Sequence, residues 1–182
     1  MKRTNKKIVL LLLGIFILFL VGTDLYHRQQ DSYKLEHAQD IKQGDKTVTL
    51  TIRCDSILQH YDQLDPNLQS ETYVPKDGII LSKTKFVLWE GDTAFDLLER
   101  ATKLYGIQME YRGNVVGRLS GKYIEGINFL YEFSCGKNSG WMYQVNAVFP
   151  NYGCSQYALK DKDEVTFIYT CERGKDIGGG MK

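Results

Sequence analysis

Lys46-Thr47-Val48-Thr49-Leu50-Thr51-Ile52-Arg53-Cys54 alternates apolar and polar side chains without a break. A period of two over this length is the mark of a half-buried strand, with Val48, Leu50, Ile52 and Cys54 on the inner face and β-branched threonines outside. Near the other end of the chain Val165, Phe167, Tyr169 and Cys171 alternate with Thr166, Ile168 and Thr170 in a second such strand. If the first strand pairs with the last, everything between them belongs to one mixed sheet crossed by one main helix. That is a β-grasp-like arrangement of the α+β class.

The intervening segments fit this reading. Ile57, Leu58, Tyr61 and Leu64 fall at helical spacing ahead of Asp65-Pro66, which predicts a short amphipathic helix. Pro75-Lys76-Asp77-Gly78 is a turn, and Ile79 to Leu81 and Phe86 to Trp89 read as extended chain. The main helix is expected over Thr93 to Tyr105. Thr93 and Asp96 form a capping-box start, Phe95, Leu98, Ala101 and Tyr105 line one face, and Gly106 ends it. Strands are expected at Ile107 to Tyr111, Tyr123 to Ile127, Phe129 to Phe133 and Gly140 to Val145, with a glycine-rich loop from Arg112 to Lys122. Asp161-Lys162-Asp163 makes the last tight turn, where solvated turn residues are the plain reading of the paired acids.

Upstream, Ile8 to Val21 is apolar apart from Gly14 and follows Lys2, Arg3, Lys6 and Lys7, four of the 23 basic residues. This is a signal peptide or a signal anchor, and the poor cleavage site at Leu20-Val21-Gly22 favours the anchor. Basic residues before the segment and Asp24 after it predict a single pass through the cell membrane, with the C-terminal domain extracytoplasmic. The expected organisation is a signal anchor over 1–23, a polar tether over 24–45, one domain over 46–172 and a disordered tail over 173–182. From Asp45 onward 16 basic residues face 18 acidic ones, so the domain offers no footprint for nucleic acid. Cys54, Cys135, Cys154 and Cys171 include no Cys-x-x-Cys pair, which argues against structural zinc, and an even count after an export signal points to two disulfides.

The residues show no catalytic set. His27 and His37 lie in the tether, His60 lies on the short predicted helix, and no Ser-His or Cys-His arrangement can be built, so no enzyme and no cofactor are expected. The densest aromatic cluster is Trp141, Tyr143, Phe149, Tyr152 and Tyr157, with Asn146 and Asn151 among them. Trp141, Tyr143 and Val145 share one strand face. They are either core or the floor of a concave surface suited to an amphipathic ligand, for which Trp141, Tyr143, Asn146, Asn151 and Tyr152 are the candidate residues.

Gly91-Asp92-Thr93-Ala94-Phe95-Asp96-Leu97-Leu98, Tyr123-Ile124-Glu125-Gly126-Ile127, Gly140-Trp141-Met142-Tyr143-Gln144-Val145-Asn146 and the run Tyr157 to Val165 together resemble the transcobalamin-like C-terminal domain family. This bacterial surface family is similar to the small β-rich domain of the animal transcobalamins and intrinsic factor. The resemblance spans about Val48 to Tyr169. Two positions depart from its pattern: Ala147 stands where a glycine usually follows the asparagine, and Lys162 stands at the centre of an Asp-Gly-Asp turn. The resemblance implies a β-grasp domain that covers one face of a corrinoid, cobalamin in the animal carriers, where a helical barrel holds the other face. The expected function is a membrane-anchored ligand-binding module, for a corrinoid or as an accessory to its uptake. The alternative is a surface module that contacts a protein or glycan of the envelope. In the β-grasp arrangement the C-terminal ends of the first and last strands meet, so Cys54 is expected to pair with Cys171 and Cys135 with Cys154.

Overall fold

The computed structural model describes residues 2–113 and 121–179, and it divides into two units, 1–37 and 38–182. The first unit is a single helix, α1 (Lys2–Glu36), which runs without interruption through most of the stretch expected to be tether. From Ile8 onward it is long and apolar enough to cross a membrane, and its large apolar side chains between Ile8 and Val21 are exposed. That is compatible with an anchor.

The second unit is α+β, as the periodicity predicts. Its strands are β1 (Thr47–Arg53), β2 (Ile79–Val87), β3 (Met109–Gly113), β4 (Lys122–Ile127), β5 (Leu130–Tyr131), β6 (Gly140–Val145) and β7 (Glu164–Thr170), with α2 (Ala94–Tyr105) between β2 and β3. The main sheet has the order β2-β1-β7-β6. At its centre β1 and β7 run parallel, with Leu50 opposite Val165 and Ile52 opposite Phe167, while the outer pairs are antiparallel. This is the β-grasp order. A second sheet, β3-β4-β5, stands beside it. The glycine-rich loop expected from Arg112 to Lys122 falls largely on 114–120, outside the described residues.

One core joins these layers. Leu50, Ile52, Phe86, Phe167 and Tyr169 from the main sheet meet Phe95, Leu97, Leu98 and Ala101 of α2, all essentially inaccessible to solvent. Burying each large apolar side chain contributes roughly 1.5–3 kcal/mol. At the start of α2 the Thr93 hydroxyl accepts from Asp96 N at 3.2 Å, and the Asp96 carboxylate accepts from Thr93 N at 2.9 Å. Gly106 (φ 65°) takes the left-handed conformation that closes the other end. The preceding Asp92 is buried. Its carboxylate accepts from Arg100 of α2 at 2.7 Å and from Trp89 N at 3.1 Å, and its carbonyl accepts from Leu159 N. The Gly-Asp-Thr motif is thereby explained as scaffold, because it locks the helix start to the turn before it and to the chain before β7.

Three segments differ from expectation. After β1 the chain makes three 3-10 turns, at Asp55–Gln59, Tyr61–Gln63 and Pro66–Leu68, in place of a helix. His60 (φ −129°) breaks the run, and Leu64 bridges to Cys135 while Asp65 N donates to Ser134 O, so tertiary pairing displaces helical bonding. The expected strand from Phe129 to Phe133 shrinks to Leu130–Tyr131, since Phe129 and Phe133 take positive φ. Within the stretch expected to be a disordered tail, residues 174–179 fold back on the domain. Asp176 accepts from the Thr170 hydroxyl and from Cys171 N, and a Cβ on Gly179 would sit 2.6 Å from the Phe149 ring. Residues 180–182 lie outside the described residues.

The expected disulfides are not formed. All four cysteines are buried free thiols. The ends of β1 and β7 do meet, but Arg53 lies opposite Ile168, so Cys54 falls level with Tyr169. Cys171 lies two residues further on, about 6–7 Å along the strand direction. The Cys154 thiol instead points at Lys122 O, 3.7 Å away, and the Cys135 thiol at His60 O, 3.4 Å away.

Candidate functional site

The aromatic cluster gathers where the outer strand β6, the start of β4 and the 150–154 turn converge on a cleft of about 210 Å³. Tyr123, Trp141, Tyr143, Pro150 and Phe167 give it an aromatic and apolar lining. The alternation along β6 brings Trp141 and Tyr143 to the same face.

Trp141 is only 9% exposed. Its indole N–H donates to Leu130 O at 2.7 Å, and its ring meets Tyr169 edge-on with centroids 5.3 Å apart. It is a core residue that offers the cleft one edge. Tyr143 is half-buried and stacks on Phe167 at 5.8 Å, while its hydroxyl donates to Tyr152 O at 2.7 Å, which fastens the 150–154 turn to β6. Burial pushes the Tyr143 phenol up, so it stays a neutral donor. Tyr152 is exposed and lies face to face with Tyr157, centroids 5.7 Å apart.

The two asparagines differ. The Asn146 amide is occupied on both sides: it donates to Asp163 at 2.8 Å and accepts from Glu164 N at 2.9 Å. It clamps the turn after β6 to the turn before β7. Asp163 is itself buried, and its carboxylate also accepts from Lys160 N at 2.8 Å, so the paired acids of that turn are not both solvated. Asn151 stands exposed in the same turn as Tyr152. The structure thus brings Trp141, Tyr143 and Tyr152 together at the cleft and its rim, and it gives Asn146 a structural task.

Sequence reasoning passed over Lys122, Tyr123 and Phe167. Lys122 also lines the cleft, with its ammonium 3.8 Å from the Phe95 ring centroid and 4.9 Å from that of Tyr111. A cation against two ring faces is held electrostatically. The Lys122 backbone N–H donates to the Ser155 hydroxyl at 2.9 Å, which ties β4 to the end of the 150–154 turn. The Tyr123 hydroxyl donates to Glu132 at 2.7 Å, and Arg112 bridges Glu132 and Glu125 at 2.9 and 2.6 Å. Burial and the Glu132 carboxylate hold the Tyr123 phenol up at about 12. The available signal was the placement of Lys122 and Tyr123 at the start of a strand, but nothing in the sequence pairs that start with β6.

A wider depression of about 690 Å³ lies among Lys46, Trp89, Glu90, Leu159 and Asp161. Its lining mixes charged Asp45, Lys46, Glu90 and Asp161 with apolar Val87, Leu88, Trp89 and Leu159, which suits an apolar ligand less than the mainly apolar cleft does, despite the larger volume. Among the described residues no cluster of three His, Cys, Asp or Glu side chains could hold a metal ion.

Residues 91–170 match the model of a domain of unknown function, DUF4430, the family known as transcobalamin-like. A crystal structure of haptocorrin in complex with Cbi is similar, with a TM-score of 0.45 and 14% identity over 71% of this chain and 26% of that one. The chain spans about a quarter of that protein's length. No curated protein matches it.

Proposed function

We propose that the second unit is an extracytoplasmic ligand-binding module, held at the cell membrane by α1, and that its ligand is a corrinoid gripped by one edge in the Tyr123–Tyr143–Phe167 cleft. The observation that carries the reading is the aromatic lining of that cleft. A corrin ring offers a broad, partly apolar rim with amide arms, and aromatic rings fixed on strands lose little entropy in covering it. The corrinoid itself enters through the family resemblance carried by the Gly-Trp-Met-Tyr-Gln-Val-Asn block. A cleft of 210 Å³ is smaller than the roughly 300–1,000 Å³ of sites that enclose a ligand, so the module supplies one side and a second surface, such as an uptake component, supplies the other. No chemistry on the ligand is assigned to it.

Titration of the detergent-solubilised chain with aquocobalamin, followed by absorbance and equilibrium dialysis, tests the reading. Saturable binding is expected, and Tyr123→Ala, which removes a half-exposed ring, should weaken it by roughly 1–3 kcal/mol while leaving the unfolding transition in place. Absence of saturable binding would overturn the corrinoid. The competing class is a surface module for a protein or glycan, favoured by Phe129 and Phe133, which are 48% and 61% exposed. Colourless protein that retains envelope fractions would select that class.

A further inference from the structure

Of the side-chain donors that line the aromatic cleft, all but one are committed elsewhere. The Trp141 indole N–H donates to Leu130 O, the Tyr143 hydroxyl to Tyr152 O, the Tyr123 hydroxyl to Glu132 and the Cys154 thiol to Lys122 O. The remaining donor is the Lys122 ammonium, which is also the single formal charge in the lining among the described residues. It rests against Phe95 of α2 and Tyr111 of β3, two rings that meet edge-on with centroids 4.7 Å apart. No carboxylate balances it. Glu125 and Glu132 bind Arg112 at 2.6 and 2.9 Å, Asp96 gives its carboxylate to Thr93, and among the described residues no ion pair reaches Lys122. The stretch 114–120 that precedes it closely in sequence contains no Asp or Glu.

We propose that the cleft takes a ligand with an anionic oxygen group, a phosphodiester or a carboxylate, beside an apolar edge, and that Lys122 is the residue that selects it. This rests on the reading of the cleft as a ligand site and narrows the class of ligand. Ring faces steady an ammonium electrostatically, but they do not replace oxygen acceptors for its three N–H groups. The main chain of Lys122 is held in place by the bond from its N–H to the Ser155 hydroxyl at 2.9 Å, so the side chain is presented from a fixed base at the start of β4.

The selection works through desolvation. Lys122 is already partly buried, and a ligand that fills the cleft takes further solvent from it. A neutral, wholly apolar ligand supplies nothing in exchange, and an ammonium closed off without a partner is strongly unfavourable. An anionic oxygen supplies both the opposite charge and the acceptor, and their attraction in a mainly apolar surrounding is stronger than in water. The apolar part of the same ligand then meets Tyr143 and Phe167. A corrinoid fits this description when its side arm carries a phosphodiester, with the corrin edge as its apolar part.

The test is equilibrium dialysis of the detergent-solubilised full chain against aquocobalamin and against cobinamide, the same corrin without the phosphodiester and its nucleotide. The wild-type chain should prefer aquocobalamin by roughly tenfold or more, the scale of one hydrogen bond to a charged group. Lys122→Gln should remove most of that preference and Lys122→Arg should keep it. A folding defect lowers both affinities together, so the ratio isolates the role of the charge. Equal affinities in the wild type, or a preference that survives Lys122→Gln, would overturn the proposal and leave the corrinoid reading standing. If neither corrinoid binds, phenyl phosphate and uncharged benzyl alcohol are compared through the fluorine signal of 5-fluorotryptophan at Trp141, whose edge meets the cleft, with Trp89 as the reference signal. A saturable shift with phenyl phosphate alone, lost in Lys122→Gln, upholds the anion selection and removes only the corrinoid, whereas no such shift overturns both.

Discussion

Ala147 (φ 62°) and Lys162 (φ 69°) hold left-handed backbone at the two positions where the family pattern carries glycine. Val145 and Val148 exchange hydrogen bonds of 2.9 and 3.0 Å across Asn146-Ala147, a two-residue hairpin turn with both central residues at positive φ. That turn favours Asn-Gly. A Cβ in this conformation costs roughly 1–2 kcal/mol, offset in part by the extra freedom that glycine gives the unfolded chain. Ala147→Gly and Lys162→Gly should each stabilise the domain by about 0.5–1 kcal/mol, read as a higher denaturant midpoint at unchanged slope. Trp141 supplies the opposite sign. With its ring against Tyr169 and its N–H on Leu130 O, Trp141→Ala should cost about 3–5 kcal/mol in the same measurement, and a near-neutral result would return it to the ligand face. Alternation along β6 could not distinguish these roles, since it names a face and not what covers that face. The covering residues come from β5 and β7.

Among the elements, α2 was legible almost to the residue, because its cap, its apolar stripe and its terminating glycine are all local signals. Thr93→Ala removes the hydroxyl that accepts from Asp96 N and should lower stability by about 1 kcal/mol, seen as a lower thermal midpoint, with Thr93→Ser largely restoring it. The chain after β1 was misread for the complementary reason. Ile57, Leu58, Tyr61 and Leu64 have helical spacing, but the hydrogen bonds that decide the backbone there are made with Gly78 and Ser134, distant in sequence. The candidate site was half legible on the same grounds: the wall on β6 could be read from its own stretch, whereas Lys122 and Tyr123 arrive from a strand whose neighbour no local pattern names.

At the scale of the whole molecule, the first-with-last strand pairing was readable from two alternating runs, and β1 does lie parallel to β7. Cysteine partners were not readable at that level, because pairing depends on register to within one residue, and the ends of β1 and β7 are offset by two. The same sheet order has a consequence in time. A chain that emerges N-terminus first can form the β1–β2 hairpin early, but β1 then keeps one bare edge until Glu164–Thr170 is delivered. Non-local pairing of this kind is slow and comes late. A polypeptide threaded through a membrane pore must stay unfolded on the near side, and a fold that cannot close until its last strand is made remains threadable for nearly its whole length.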